Sequence, residues 1–235
     1  KEGIDHVHET LPQSVVSVLF TLTVARGRAG VNAGTLNTMD PLRIEPATIE
    51  RFNDMELLLS PKKSPTAKAC WCLSYRLGYK AAAKLDAAAR RAEVQHLCQA
   101  EPAPGILAYR DDADGTSTVV GWAGVAPRAD VAELSTAAYP RIADDAPWSI
   151  FCLRTRARMR KGGIGQQLLA GAIAFAWDNG ATVIEGYPLD TDAKVAPIFA
   201  YPGFRRMFER EGFTKVADTT SALDGVPRIL MRLTR

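Results

Sequence analysis

The chain has 235 residues, room for one well-buried core and too few for two domains of ordinary size. Its 47% hydrophobic and 23% charged residues are a globular balance, which excludes the apolar excess of a membrane protein and the charge excess of a disordered one. A formal net charge of +3 falls short of the strongly basic balance of a dedicated nucleic-acid binder, so positive charge has to be judged locally.

The apolar stretch at residues 14–25 is too short to span a bilayer and is interrupted by Ser17, Thr21 and Thr23. It also lacks the positive flank of a signal peptide, since Arg26 and Arg28 follow it rather than precede it. A more ordinary domain opening, MDPLRIEPAT, begins at Met39. Residues 1–38 are therefore expected to be a leader or upstream extension outside the fold, with the catalytic domain at 39–235. Leu42, Ile44 and Pro46 read as a short strand, and Thr48 as the cap of a helix over residues 49–59, closed by Pro61 and Pro65. The aromatic segment ACWCLSYRL leads past Gly78 into an alanine-rich helix ending near Ala100. Residues 106–109 and 118–125 form a hairpin across the turn DDADG. WSIFCL then reads as a buried central strand. From Ile164 the residues Leu168, Leu169, Ala172, Phe175 and Ala176 recur at helical spacing, with Asn179 and Gly180 as terminators. A strand at 181–186, a helix near 205–211 and strands around 213–216 and 228–233 complete a mixed sheet with helices.

The informative segment is RKGGIG: Arg160, Lys161, Gly162, Gly163, Ile164 and Gly165, set between the strand WSIFCL and the amphipathic helix. Glycines there let the backbone turn sharply with its N–H groups inward, and the helix N-terminus adds about half a positive charge, which together favour a pyrophosphate. A Walker loop and a Rossmann GxGxxG are both absent. The arrangement of Arg160, Gly163 and Gly165 as RxxGxG, after a strand and before a helix, resembles motif A of the GNAT acetyltransferases. The opening LRIEPAT, the hairpin, ATVIEG and FEREGF extend the resemblance over most of residues 39–235. It implies an α/β fold with a mixed, mostly antiparallel central sheet flanked by helices, whose splayed central strands bind acyl-CoA. It further implies that the RKGGIG loop holds the pyrophosphate and that Leu153 and Thr155 offer backbone groups to the pantetheine arm.

The family often protonates the departing thiolate with a tyrosine four residues before a GF pair. Here that pair is Gly212 and Phe213, and the position holds Phe208. Tyr201, then Tyr187, are the nearest substitutes for the acid, each weighed against simple packing. Glu185, at the end of the following strand, is the candidate base, weighed against an ion pair with a neighbouring arginine. Cys70 and Cys72 lack a second pair for zinc, so no metal is expected, and CWC either lines an acceptor pocket or packs in the core. Arg154, Arg156, Arg158, Arg160 and Lys161 suit the phosphates of CoA without a polymer partner, so nucleic acid is set aside. The expectation is transfer of an acetyl or short acyl group from acetyl-CoA, the co-substrate, to an amine on a small molecule or peptide. The alternative is a CoA-binding or sensor protein of the same fold. Four cysteines without a disulfide pattern suggest free thiols in the cytoplasm. Exposed sheet edges suit pairing into a homodimer.

Overall fold

The computed structural model describes residues 41–235, except 63, 65, 144, 158 and 160–162. The extension expected at 1–38, and Arg160, Lys161 and Gly162 of the phosphate loop, lie outside the described residues. Seven strands form one sheet: β1 (Arg43–Pro46), β2 (Gly105–Asp111), β3 (Ser117–Pro127), β4 (Trp148–Thr155), β5 (Val183–Gly186), β6 (Thr214–Leu223) and β7 (Val226–Thr234). Their spatial order is β1-β2-β3-β4-β5-β7-β6. Every pairing is antiparallel except β4 with β5. The mixed, mostly antiparallel sheet read from the sequence is thus the one observed.

Helices cover both faces. α1 (Phe52–Leu59), α2 (Leu73–Arg76), α3 (Tyr79–Lys84) and α4 (Ala87–Leu97) bury Phe52, Met55, Leu73, Tyr75 and Val94 in a core shared with Trp122 and Phe151. α5 (Ile164–Asp178) and α6 (Arg205–Arg210) close the other face, where Leu168, Leu169, Ala172 and Phe208 meet Ile150, Leu153 and Ile184. The 3.6-residue period of α5 is what turns those side chains to one side.

Three local expectations are corrected. Thr48 makes no side-chain capping bond; the first turn, Ile49–Arg51, is a 3-10 helix, and the hydroxyl meets Arg51 Nη1 at 3.3 Å instead. The alanine-rich stretch is two helices, because Asp86 leaves the helical region and caps α4 by accepting from the Ala89 amide at 2.8 Å. The last two strands form a long hairpin around Asp224 and Gly225, both at positive φ as its tight turn requires.

Two irregularities in the sheet create the site. Opposite β3, strand β4 carries an extra residue: Gly124 faces Cys152 while Val125 faces Ile150, a bulge at Phe151. Beside β5, only Trp148, Ser149 and Ile150 find partners. β4 runs on to Thr155 while β5 ends at Gly186, so the two strands part.

Candidate active site

Backbone groups alternate along a strand. The Arg156 amide donates to Val120 of β3 at 2.8 Å, which turns the amides of Leu153 and Thr155 the other way, into the gap beside β5. A chain excursion over residues 190–202 crosses that gap. Its base is pinned by Leu189 and Gly203, amide to carbonyl at 3.0 Å, and by Arg205 to Leu189, also at 3.0 Å. Arg205 pairs with Asp190 at 3.0 Å and Arg206 with Asp192 at 2.7 Å. Between the strand edge and the excursion lies a cavity of about 600 Å³, lined by Leu153, Thr155, Lys194, Tyr201 and Arg206 among others.

α5 starts against α6, whose Arg206 lines this cavity. Gly163 caps it in the left-handed region, φ 80°, with the Gln166 and Gln167 amides bonded to its carbonyl at 3.0 and 3.1 Å. The Ile164 and Gly165 amides belong to the first turn, whose N–H groups have no partner inside a helix. A Cβ on Gly163 would meet nothing within 4 Å, so open space stands in front of the turn. Gln166 anchors this end to α6 by donating to the Met207 carbonyl at 2.9 Å, one residue from Arg206. A pyrophosphate suits a helix N-terminus of this kind, and Lys194 and Arg206 line the cavity beside α6's first turn.

The excursion carries Tyr201, whose carbonyl accepts the Leu153 amide at 2.6 Å. Its ring lines the first cavity and also a second, of about 880 Å³, opened on the α1–α3 side and lined by Leu57, Tyr75, Tyr79, Thr155 and Ile198 among others. The Tyr201 hydroxyl lies 3.1 Å from that of Tyr75. Tyr75 in turn accepts a close hydrogen bond from Arg228, which donates to Tyr139 at 2.6 Å and, through Nε, to the Tyr187 carbonyl at 2.8 Å. Arginine only donates, so the proton of Tyr75 is free to point at Tyr201. The Tyr201 proton is thereby left to point toward Tyr79 or a group entering the cleft. Burial raises the Tyr201 hydroxyl above its ordinary range and keeps it protonated.

Leu153, Thr155 and Tyr201 therefore line one cavity, and the start of α5, with Gly163, Ile164 and Gly165, packs on Met207 of α6. Glu185 does not join them. It is fully buried and opens on a different cavity, beneath the loop after β3. Its Oε2 accepts from Arg128 Nη1 at 2.8 Å and the Tyr187 hydroxyl at 2.6 Å, and its Oε1 accepts from Arg232 Nε at 3.1 Å. The ion-pair reading of the sequence is realised, with partners 57 and 47 residues away rather than the arginines after β4.

Phe208 is a core residue, edge-on to Phe213 with centroids 5.1 Å apart and pressed on Gly186, where any Cβ would come within 2.2 Å of its ring. Tyr187 is likewise buried, its hydroxyl spent on Glu185 and its ring edge-on to Tyr139. Cys70 and Cys72 line the second cavity, whereas Trp71 is buried and stacks on Phe52. Cys72 Sγ lies 2.8 Å from Cys152 Sγ and accepts from the Trp122 indole at 3.3 Å. No cluster of His, Cys, Asp or Glu among the described residues is arranged to hold a metal ion. No helix among them is long and apolar enough to cross a membrane.

No protein-family model and no curated protein matches the chain. Solved structures with a similar course include a histone acetyltransferase HPA2 and related acetyltransferase from Corynebacterium glutamicum, at 20% identity and a TM-score of 0.49, over 82% of this chain and 96% of that one. A GNAT-family acetyltransferase from Streptococcus pneumoniae gives 11% identity and a TM-score of 0.48, over 83% and 99%. A chain of the NatC complex bound to Gag peptide and CoA gives 13% identity and 0.47, over 83% and 99%.

Proposed function

We propose that this chain is an acyltransferase of the GNAT type, moving an acetyl or short acyl group from CoA to an amine by direct attack. The observation that carries the reading is the parting of β4 from β5 immediately before a left-handed glycine turn and a helix N-terminus. That geometry presents a free strand edge for an amide-bearing arm and a separate donor cluster for a pyrophosphate.

In this reading the Thr155 and Leu153 backbone orients the pantetheine arm. Gly163, Ile164 and Gly165 hold the phosphates together with Arg160, Lys161 and Gly162. Leu153 can serve only once the Tyr201 carbonyl releases its amide, so the excursion over residues 190–202 moves on binding. Acceptor nitrogen bonds to the thioester carbonyl carbon, the carbon–sulfur bond breaks, and Tyr201 supplies the proton that the departing sulfur takes. Tyr201 is reprotonated by water entering the cleft, while Tyr75, held by Arg228, keeps its hydroxyl oriented. The proton shed by the amine passes to water, and Glu185 is assigned a structural role, holding Arg128 and Arg232 rather than acting as base. Reduced Cys72 and Cys152 suit a cytoplasmic setting.

A second reading is favoured by Phe208, which fills the usual acid position with core packing: a protein that binds CoA without turning it over. Calorimetric titration with acetyl-CoA, beside Gly163→Ala and Gly163→Glu, tests both. Either substitution costs roughly 1–2 kcal/mol of backbone strain, but only glutamate puts bulk and charge into the open space. Binding by the parent and the alanine variant, lost in the glutamate variant, supports the site. Thiol release with an amine panel then separates enzyme from binder. No binding by the parent removes both readings.

A further inference from the structure

The larger cavity has a chemical bias that narrows the acceptor. Among the described residues five large apolar side chains are notably exposed, and three of them, Leu57 at 56%, Tyr79 at 52% and Ile198 at 75%, line this cavity. Exposed apolar side chains gathered at one cleft mark a surface that a ligand covers. The charges there have one sign. Lys62, Arg154 and Arg156 line it, no described Asp or Glu does, and none of the three cations has an ion-pair partner among the described residues. Lys62 feels the crowding: burial and the charges of Arg156 and Arg154 pull its ammonium below the ordinary lysine range, outweighing the opposite pull of Glu56.

A fourth cation lies under the floor. Arg228 is 1% exposed, and its hydrogen-bond partners among the described residues are neutral: the Tyr187 carbonyl and the Tyr75 and Tyr139 hydroxyls. Its Nη2 has no hydrogen-bond partner among the described residues. A buried guanidinium without a carboxylate projects its charge through Tyr75 toward Tyr201. Arg154 lines both cavities, whereas Lys62 and Arg156 stand apart from the phosphate donors. Arg154 and Arg156 alternate with Leu153 and Thr155, so they stand on the α1 side of β4, and Lys62 and Arg156 line the larger cavity only.

We infer that the amine accepted by this protein carries an anionic group, carboxylate or phosphate, joined to an apolar body, and is not a polycation. The inference rests on the acyl-transfer reading and specifies its acceptor. The anion sits between Lys62 and Arg156, and the apolar body lies against Leu57, Tyr79 and Ile198. The same positive field disfavours an ammonium, so it lowers the acceptor amine's pKa and frees the lone pair that attacks, without a dedicated base.

The test is binding, which needs no turnover. The full chain, alone and saturated with CoA, is titrated with N-acetylphenylalanine, its neutral amide, its phosphonate analogue and N-acetylspermidine. The acid or phosphonate should bind at least about tenfold more tightly than the amide, the worth of one charge-assisted hydrogen bond. Whichever of the two binds more tightly identifies the anion. Lys62→Glu and Arg156→Glu, both on exposed side chains, should each abolish that preference while leaving amide affinity within about twofold. Equal binding of acid and amide, tighter binding of acetylspermidine, no binding of any probe, or a preference that survives both charge reversals would overturn the inference. Absence of a CoA heat in the same titrations would instead count against the acyl-transfer reading, while the probes still report the cleft's charge preference on the chain alone.

Discussion

Replacing Glu185 separates a structural carboxylate from a general base. Glu185→Ala leaves Arg128 its three carbonyl acceptors, Leu134 at 2.8 Å, Tyr139 at 2.7 Å and Pro140 at 3.1 Å, and leaves Arg232 its pair with Asp145 at 2.6 Å. Neither guanidinium is stranded, so the loss should fall at the low end for a broken buried pair, about 3 kcal/mol. With a urea m-value of about 2–3 kcal/mol/M, the midpoint moves down by about 1–1.5 M. Glu185→Gln keeps the shape and one acceptor, and the Tyr187 hydroxyl can turn to accept, so about 1–2 kcal/mol is expected from the lost charge. Urea unfolding followed by tryptophan fluorescence reads both shifts. Acetyl transfer at saturating amine, scanned over pH, reads the other role: the folded Gln variant should keep kcat within a few fold and the same acidic limb. A Gln variant of unchanged stability whose kcat drops a hundredfold and whose acidic limb disappears would refute the argument and restore Glu185 as the base.

Two further outcomes follow from the same geometry. Tyr201→Phe should lower kcat by about a hundredfold with little change in acetyl-CoA affinity, since only the proton is removed. Burial raises the Tyr201 phenol, so it stays protonated up to and beyond the ordinary tyrosine range. The wild-type rate should therefore hold as pH rises and fall only above that range; a limb lying lower, or retained in the Phe variant, would assign it to another group. Gly186→Ala drives a methyl into the Phe208 ring and should cost about 1–3 kcal/mol. In a Phe208→Leu background the penalty should shrink, and additive penalties in a double-mutant cycle would deny the contact.

How far the sequence was legible depends on the range of the interactions. β4, α5 and its glycine punctuation are local signals, readable as a short apolar run, a 3.6-residue period, and glycines where φ is positive at 163 and 180. The division of the alanine-rich stretch was present as Asp86 but masked by the helix propensity around it. The final hairpin had a signal in the Asp224-Gly225 dipeptide that short-strand reading passes over. The polar system under the cleft had no local signal. Arg228 reaches Tyr75 across 153 positions and Tyr139 across 89, and nothing in the neighbourhood of any of the three residues announces the meeting. The cations Arg154 and Arg156 were visible as a run, and only the three-dimensional placement separates Arg156, on the acceptor cavity, from Arg154, which lines both.

The short bond from the Leu153 amide to the Tyr201 carbonyl also bears on solubility. A strand that leaves its neighbour halfway presents bare peptide groups, and such an edge can recruit a strand from another molecule. Here the chain covers its own opening with a peptide from a loop instead of a ladder. That cover is specific enough to block a stranger's strand and, being a single contact at Leu153, easy to lift. Variants that shorten the excursion over residues 190–202 would then aggregate before they unfold, and acetyl-CoA would protect them by taking the place of the missing loop.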